Sequence, residues 1–257
     1  MYIAFVSIVE FISHCSGCKK VMREVKTEQW GIASFDTSYK GLPRSVFNLL
    51  KTCSKATQLT AVGHFISEGL ASGQRVVLVG FENAAPLFNS LGFCGFSFEE
   101  ALNDERLVYL YYKPSFSQQL SFTVDYKKVF NEIINISNVA GVGVDRIVFL
   151  HADTLFNLQS RLLAQSSAER VLSSVAEMDV CMLGVFQSLP GAVQEHLDSV
   201  AGVLGSYFEI KPGDQGAGNY DFISYRFHLP CDGGNGRLFL SKSLGFNAGY
   251  DEERLAS

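Results

Sequence analysis

The chain has 257 residues, 47% of them hydrophobic and 18% charged, and a formal net charge of −5. These values fit one large domain with an apolar core, or such a domain with a short N-terminal piece, and exclude a disordered chain. The negative net charge, with only short basic clusters, also excludes an ordinary nucleic-acid-binding protein, because basic residues that neutralise phosphates drive that kind of binding.

Residues 1–42 are predicted to form a helical or extended N-terminal segment. Apolar residues at helical spacing between Ile8 and Val25 indicate one or two amphipathic helices, and residues 30–35 indicate a short strand. Residues 1–12 are apolar but lack the basic leader of a secretion signal. No apolar run approaches the roughly 18 residues of a membrane-spanning helix, so we expect a cytoplasmic protein without direct membrane insertion.

Six cysteines occur, and two of them, Cys15 and Cys18, form a CxxC pattern. A structural zinc site needs four ligands, commonly from a second CxxC or a histidine pair, whereas only His14 lies close to this pattern. Reduced thiols without a role are therefore the favoured interpretation, and metal or redox use is the alternative. We assign no metal ligand.

From residue 43 the chain alternates strands and helices, and we assign residues 43–257 to a second, larger domain. Continuous apolar runs at 75–80 and 146–150 indicate strands buried on both faces, as in a parallel sheet. The other predicted strands are 45–50, 107–112 and 180–186, and the predicted helices are 54–71, 83–91, 97–103, 124–139, 154–178 (with a break near 166–167) and 190–204. This alternation predicts βαβ units around a mostly parallel sheet.

After residue 204 the pattern changes. Strands predicted at 206–210, 220–228 and 237–240 are separated by glycine-rich turns, which is typical of an antiparallel meander. The predicted fold class is therefore α/β: a three-layer sandwich with a mostly parallel central sheet and antiparallel C-terminal strands.

The first strand–helix junction of such a sheet is a natural phosphate site, because helix N-terminal amides and the helix dipole attract anions. Here residues 50–58 form the junction. A phosphate-binding P-loop needs glycines that curl around the phosphate, then a lysine and a serine or threonine. No glycine occurs between Gly41 and Gly63, and Lys55 is followed by Ala56. The sequence therefore predicts that a P-loop of the usual shape cannot form.

The sequence downstream of this junction resembles that of KaiC-type ATPases of the RecA superfamily. A Glu-Gly…Gly turn and a hydrophobic strand ending in Phe-Glu lie at 68–82, followed by a Leu-Gly-Phe at 91–93, an acidic helix at 98–102 and a strand at 106–110. The order and spacing of these pieces carry the resemblance, which covers roughly residues 43–190. It implies a RecA-like three-layer sandwich with an ATP site at the first strand–helix junction.

At each catalytic position of that family, this chain has a different residue or only part of the motif. Counting back from the glycine turn, Gln58 stands where the P-loop lysine belongs, and Leu59 where the serine or threonine belongs. Glu82 keeps one of two acidic residues, and His151 replaces the aspartate that holds magnesium. For Asp153, two residues on, a helix N-cap is the favoured role and a displaced magnesium ligand the alternative. The resemblance thus implies a pseudo-ATPase: no catalytic residue is assigned, and no cofactor is expected.

A narrower resemblance is to the N-terminal RecA-like domain of BcsE-type regulators of bacterial cellulose biosynthesis. It rests on the strand at 180–186, a Pro-led helix, Gly205–Glu209 and the strand at 220–228. The cyclic-di-GMP motif of that family, Arg-x-x-Asp, does not occur in this chain. The resemblance implies a regulatory or scaffolding role through protein partners in a secretion or biosynthetic complex.

Three functions follow as hypotheses. The favoured one is a non-catalytic regulatory or scaffolding module. The alternatives are a divergent ATPase that uses Lys55 and Asp153 in shifted roles, and a nucleotide sensor without hydrolysis. Many RecA-like ATPases form rings in which a neighbouring subunit completes each nucleotide site. A site that holds no nucleotide removes this reason for a ring. We therefore predict a monomer or dimer in isolation.

Overall fold

The computed structural model describes residues 26–112, 129–133, 135, 143–156, 158–189, 191–200, 206–213, 219–226, 236–241 and 245–248. The helices predicted before Val25 and the CxxC pattern of Cys15 and Cys18 lie outside the described residues.

The described elements alternate as the sequence predicts. The strands are β1 (Thr27–Glu28), β2 (Leu42–Pro43), β3 (Phe47–Thr52), β4 (Val76–Gly80), β5 (Leu107–Tyr111), β6 (Arg146–Leu150), β7 (Cys181–Gln187), β8 (Ser206–Pro212), β9 (Asn219–Arg226), β10 (Gly236–Ser241) and β11 (Gly245–Ala248). The helices are α1 (Ala33–Tyr39), α2 (Lys55–Ala71), α3 (Ala84–Phe93), α4 (Glu99–Asn103), α5 (Arg161–Ala176) and α6 (Gly191–Asp198), with a 3-10 turn at Ala152–Leu155. Residues 129–133, within the helix predicted at 124–139, are also helical.

One large sheet of nine strands organises the molecule, in the order β11-β10-β9-β8-β3-β7-β6-β4-β5. The six strands from β8 to β5 are mutually parallel, and β9, β10 and β11 continue the sheet antiparallel. Strands β4 and β6 lie in the interior of the sheet, and all five residues of each are buried. The α/β fold class and the burial of both apolar runs are therefore confirmed.

The direction of β8 differs from the prediction. It was expected to open the antiparallel meander, yet it pairs in parallel with β3, with Asn48 opposite Ser206. Helix α6 lies between β7 and β8, and a helical crossover of this kind returns the chain to the starting end of the sheet. Only β9, β10 and β11 form the meander.

Two predicted boundaries also move. The first large strand runs from Phe47 to Thr52 rather than from 45 to 50, because Ser45 adopts a left-handed conformation with φ of 58°. The long helix predicted at 154–178 begins only at Arg161, after a 3-10 turn at Ala152–Leu155, and α5 passes unbroken through 166–167. Its N-terminus is capped by Ser160, whose Oγ accepts the amide of Leu163 at 3.3 Å.

The core has two parts, one on each face of the sheet. One contains α1, α2, α3 and α4, and the other contains α5 and α6. The strand predicted at 30–35 is wrong, because α1 begins at Ala33. Trp30 and Phe35 are buried in the first part with Phe208 of β8, and the Phe35 and Phe208 rings meet edge to face at 5.3 Å.

Arg146, at the start of β6, fastens residues 28–29 to the sheet. Its side chain is 1% exposed. It donates to the carbonyl of Gln29 at 2.7 Å and to that of Phe65 at 3.1 Å, and its guanidinium lies 4.7 Å from the Phe65 ring centroid. Glu28 lies 3.6 Å away. One buried cation thus joins the N-terminal strand, α2 and the central sheet.

We predict that Arg146→Met lowers the free energy of unfolding by about 2 kcal/mol, because the carbonyl of Gln29 loses this donor and an orphaned buried group costs roughly 1–3 kcal/mol. Urea unfolding measures the change. Arg106→Met is the matched control, since Arg106 is 42% exposed and exposed ion pairs contribute about 0–1 kcal/mol. Equal losses in both variants would contradict the role given to Arg146.

Candidate functional site

The six parallel strands end at one edge of the sheet, and we call this the carboxyl edge. Strands β3, β4, β6 and β7 end there at Thr52, Gly80, Leu150 and Gln187. In open α/β sheets, ligands bind in the crevice outside these strand ends. Any nucleotide chemistry in this fold is therefore expected at the carboxyl edge.

The connection from β3 to α2 contains only two residues, Cys53 and Ser54. Ser54 is the N-cap of α2: its Oγ accepts the amide of Thr57 at 3.2 Å, and its own amide donates to Thr57 Oγ1 at 3.2 Å. A P-loop places a glycine-rich stretch of several residues between strand and helix, so that backbone amides surround the phosphate. Here the chain turns tightly instead, and a capping box satisfies these groups internally.

Lys55, the first residue of α2, is held by a carboxylate rather than left open to an anion. Its Nζ lies 2.7 Å and 3.0 Å from the two carboxylate oxygens of Glu82, which follows β4. Tyr109 of β5 donates its hydroxyl to the carbonyl of Glu82 at 2.5 Å and so fixes that loop. Lys51, the other lysine of the junction, lies 3.0 Å from Glu209 Oε1, so both cations of the junction are paired with carboxylates.

His151 ends β6 in a left-handed conformation, with φ of 58° and ψ of 50°. Few residues other than glycine adopt this conformation, although histidine does so more readily than most. Its Nε2 lies 3.9 Å from Glu82 Oε1. Magnesium prefers oxygen ligands, so an imidazole in this position is a poor replacement for the aspartate of an ATPase.

Asp153 was predicted to cap a helix, and this is wrong. It is the second residue of the 3-10 turn, and the N-cap position belongs to His151, whose side chain makes no capping bond. Burial raises the pKa of the Asp153 carboxyl, and the neighbouring charge of His151 only partly opposes the effect. Burial thus disfavours the ionised carboxylate, which is the form that would hold a magnesium ion.

Gln58 and Leu59 both face the interior. Gln58 is 2% exposed, and its Oε1 accepts the side-chain amide of Gln187 at 3.3 Å. Leu59 is 4% exposed and belongs to the core. Both lie one turn inside α2, so the residue that opens the helix is Lys55 and not Gln58. Gln58 ties α2 to the end of β7 instead of facing a ligand.

The side-chain contacts at the site therefore differ from those that the sequence predicts. The structure brings Lys55, Glu82 and His151 together, which the sequence did not predict. Lys55 and Glu82 are 27 residues apart, and no spacing pattern signals such a pair. Among the described residues, no cluster of His, Cys, Asp and Glu side chains is suited to a metal ion. The helices in the same part of the chain include none long and apolar enough to cross a membrane.

Comparisons with known proteins find similarity at the level of structure. No family model matches the chain, and no curated protein matches it. Among solved structures, 628 chains match. One is the crystal structure of the KaiC-like protein PH0186 from the hyperthermophilic archaeon Pyrococcus horikoshii OT3, with a TM-score of 0.66 and 13% sequence identity over 88% of this chain and 100% of that chain. At this identity the similarity shows the fold alone, and the fold is RecA-like.

We predict that Asp153→Asn stabilises the protein at neutral pH. Because the folded state raises the pKa of this carboxyl, it binds the proton more tightly than the unfolded chain does. Folding stability is therefore lost as the pH rises from the ordinary aspartate pKa of 3.8 through the higher pKa of Asp153 in the folded state. Asparagine does not ionise and removes that loss.

Urea unfolding over a pH series measures this effect. The advantage of Asp153→Asn should be near zero around pH 3.8 and grow toward neutral pH. An advantage that does not change with pH, or a variant less stable at neutral pH, would contradict the burial assigned to Asp153.

Proposed function

We propose that this protein is a non-catalytic regulatory or scaffolding module, a RecA-like domain whose nucleotide site is degenerate. The observation that carries the proposal is the two-residue connection between β3 and α2, closed by the capping box of Ser54 and Thr57. A triphosphate has no loop here to surround it.

The charges at the carboxyl edge support the same conclusion. Stabilising a transferring phosphoryl group takes a lysine and a metal ion in place together. Lys55 is already paired with Glu82 at 2.7 Å, so a phosphate would have to displace a carboxylate to reach it. The carboxylate then left unpaired would repel the phosphate.

A narrower proposal concerns the pathway. The chain order of strand β7, helix α6, parallel strand β8 and antiparallel strand β9 is compatible with the resemblance to the first domain of BcsE-type regulators. On that basis the protein acts in the cytoplasm, through protein partners, in the regulation of bacterial cellulose or another exopolysaccharide.

A divergent ATP-binding protein or ATPase is the alternative, and one observation favours it. Lys55 is the first residue of α2, and helix N-termini attract anions through their free amides and dipole. In this alternative Lys55 leaves Glu82 for a phosphate. Asp153 would then have to ionise and accept a metal ion.

We predict that Mg-ATP does not stabilise the protein. A ligand at 100 times its dissociation constant adds about 2.7 kcal/mol, and each kcal/mol raises Tm by roughly 2–4 °C in a domain of this size. Millimolar Mg-ATP would therefore produce a clear shift if a micromolar site existed. A thermal melt should show no larger shift with Mg-ATP than with inorganic phosphate.

Lys55→Ala sharpens this test. We expect it to change neither the melt nor its response to Mg-ATP, and Lys26→Ala serves as control because Lys26 is an exposed lysine in an ion pair with Asp179, away from the carboxyl edge. An ATP-specific shift that Lys55→Ala abolishes and Lys26→Ala preserves would overturn the proposal in favour of the ATP-binding alternative.

A further inference from the structure

Helix α3 and its connection to α4 carry aromatic side chains, some of which the core does not fully cover. Phe93, the last residue of α3, is 88% exposed. Phe88 and Phe96 are partly buried, and Phe98 is 5% exposed. A fully projecting aromatic side chain beside two partly exposed ones is an apolar surface of the kind that marks interaction sites.

These residues line a groove. A cavity of about 990 Å³ opens between α3 and α4, bounded by Phe88, Phe93, Phe96, Phe98, Glu99 and Leu102. A second cavity of about 860 Å³ shares Phe88 and Leu102 with the first and continues to Tyr109 and Tyr111 of the edge strand β5. We call the two together the α3–α4 groove. Because two largely apolar cavities adjoin along one surface, the groove can accommodate a peptide segment.

The floor of the groove is fixed, whereas Phe93 is not packed against it. The Phe96 and Phe98 rings stack at 6.2 Å, and the His64 ring of α2 meets Phe96 edge to face at 5.2 Å. A Cβ added at Gly63 would lie 2.3 Å from Phe96, so α2 approaches this ring closely. The groove is therefore a formed surface with one projecting aromatic side chain.

The charged side chains of the segment that forms the groove are mainly acidic, and the cation that lines the second cavity, Arg75, is only 8% exposed. Between Val76 and Glu105 the sequence contains five acidic residues and neither lysine nor arginine. Arg106 is the nearest following cation, and it lies 3.4 Å from Asp104 and 3.8 Å from Glu100. Glu99 lines the groove itself. An apolar groove with an acidic rim is complementary to a basic segment with apolar anchors.

We propose that the α3–α4 groove binds a segment of a partner protein that carries aliphatic or aromatic anchors on one side and lysine or arginine on the other. The anchors pack against Phe88, Phe93 and Phe96, and the basic residues face Glu99 and its acidic neighbours. Amphipathic helices bind to grooves in this way. The inference rests on the proposed partner-binding role and names the surface that performs it.

A pair of synthetic peptides tests the groove without nucleotide. One is a short amphipathic helix of leucine and lysine, and the other has glutamate in place of each lysine. Fluorescence anisotropy with the full chain should show saturable binding of the lysine peptide only, weakened by added salt. Phe93→Ser should weaken binding at least about tenfold, which corresponds to about 1.4 kcal/mol, and Glu99→Lys should weaken it further.

Leu162→Ser is the matched control. Leu162 is 78% exposed on α5, whose buried residues belong to the core on the other face of the sheet, so this variant should bind as the parent does. The proposal is overturned if the lysine peptide does not bind, if the glutamate peptide binds as tightly, or if both serine variants weaken binding equally. Because no nucleotide is present, such a failure is distinguishable from ATP binding at the carboxyl edge.

Discussion

The capping box between Ser54 and Thr57 determines how β3 continues into α2, and the chemistry of the carboxyl edge depends on that turn. Ser54 supplies both a side-chain acceptor and an extended backbone, so the helix begins two residues after the strand. The resulting position of Lys55 brings its ammonium to Glu82. A longer, glycine-rich connection would have left amides and the lysine open to a phosphate. We therefore propose that this sheet carries a closed polar junction in place of a nucleotide site.

Buried polar and aromatic contacts stabilise the sheet around this closed junction. Arg146 links the N-terminal strand, α2 and β6 through two buried carbonyls, and Phe208 of β8 packs against Trp30 and Phe35. The exposed ring of Phe93 at the end of α3 and the exposed carboxylate of Glu99 at the start of α4 are the features on which the proposed basic partner rests.

Much of the fold was predictable, because it follows from runs of apolar residues. The five buried residues of β4 and of β6 are continuous in sequence, and such runs admit few other interpretations. The parallel pairing of β8 was not predictable from its residues, since pairing direction depends on where the preceding crossover returns the chain. At the site, the loss of the glycines was visible in the sequence. The contacts of Lys55 with Glu82 and of Gln58 with Gln187 were not, because they join residues 27 and 129 positions apart.

The central claim is that the start of α2 does not bind a triphosphate, and the backbone amides of Lys55 and Ala56 report on it directly. Two-dimensional amide NMR of the protein, titrated with Mg-ATP, measures their chemical shifts. The account predicts that these two signals move no more than those of exposed residues elsewhere on the described surface. Saturable shifts at Lys55 and Ala56, accompanied by a change at the Glu82 amide as its salt bridge opens, would contradict it.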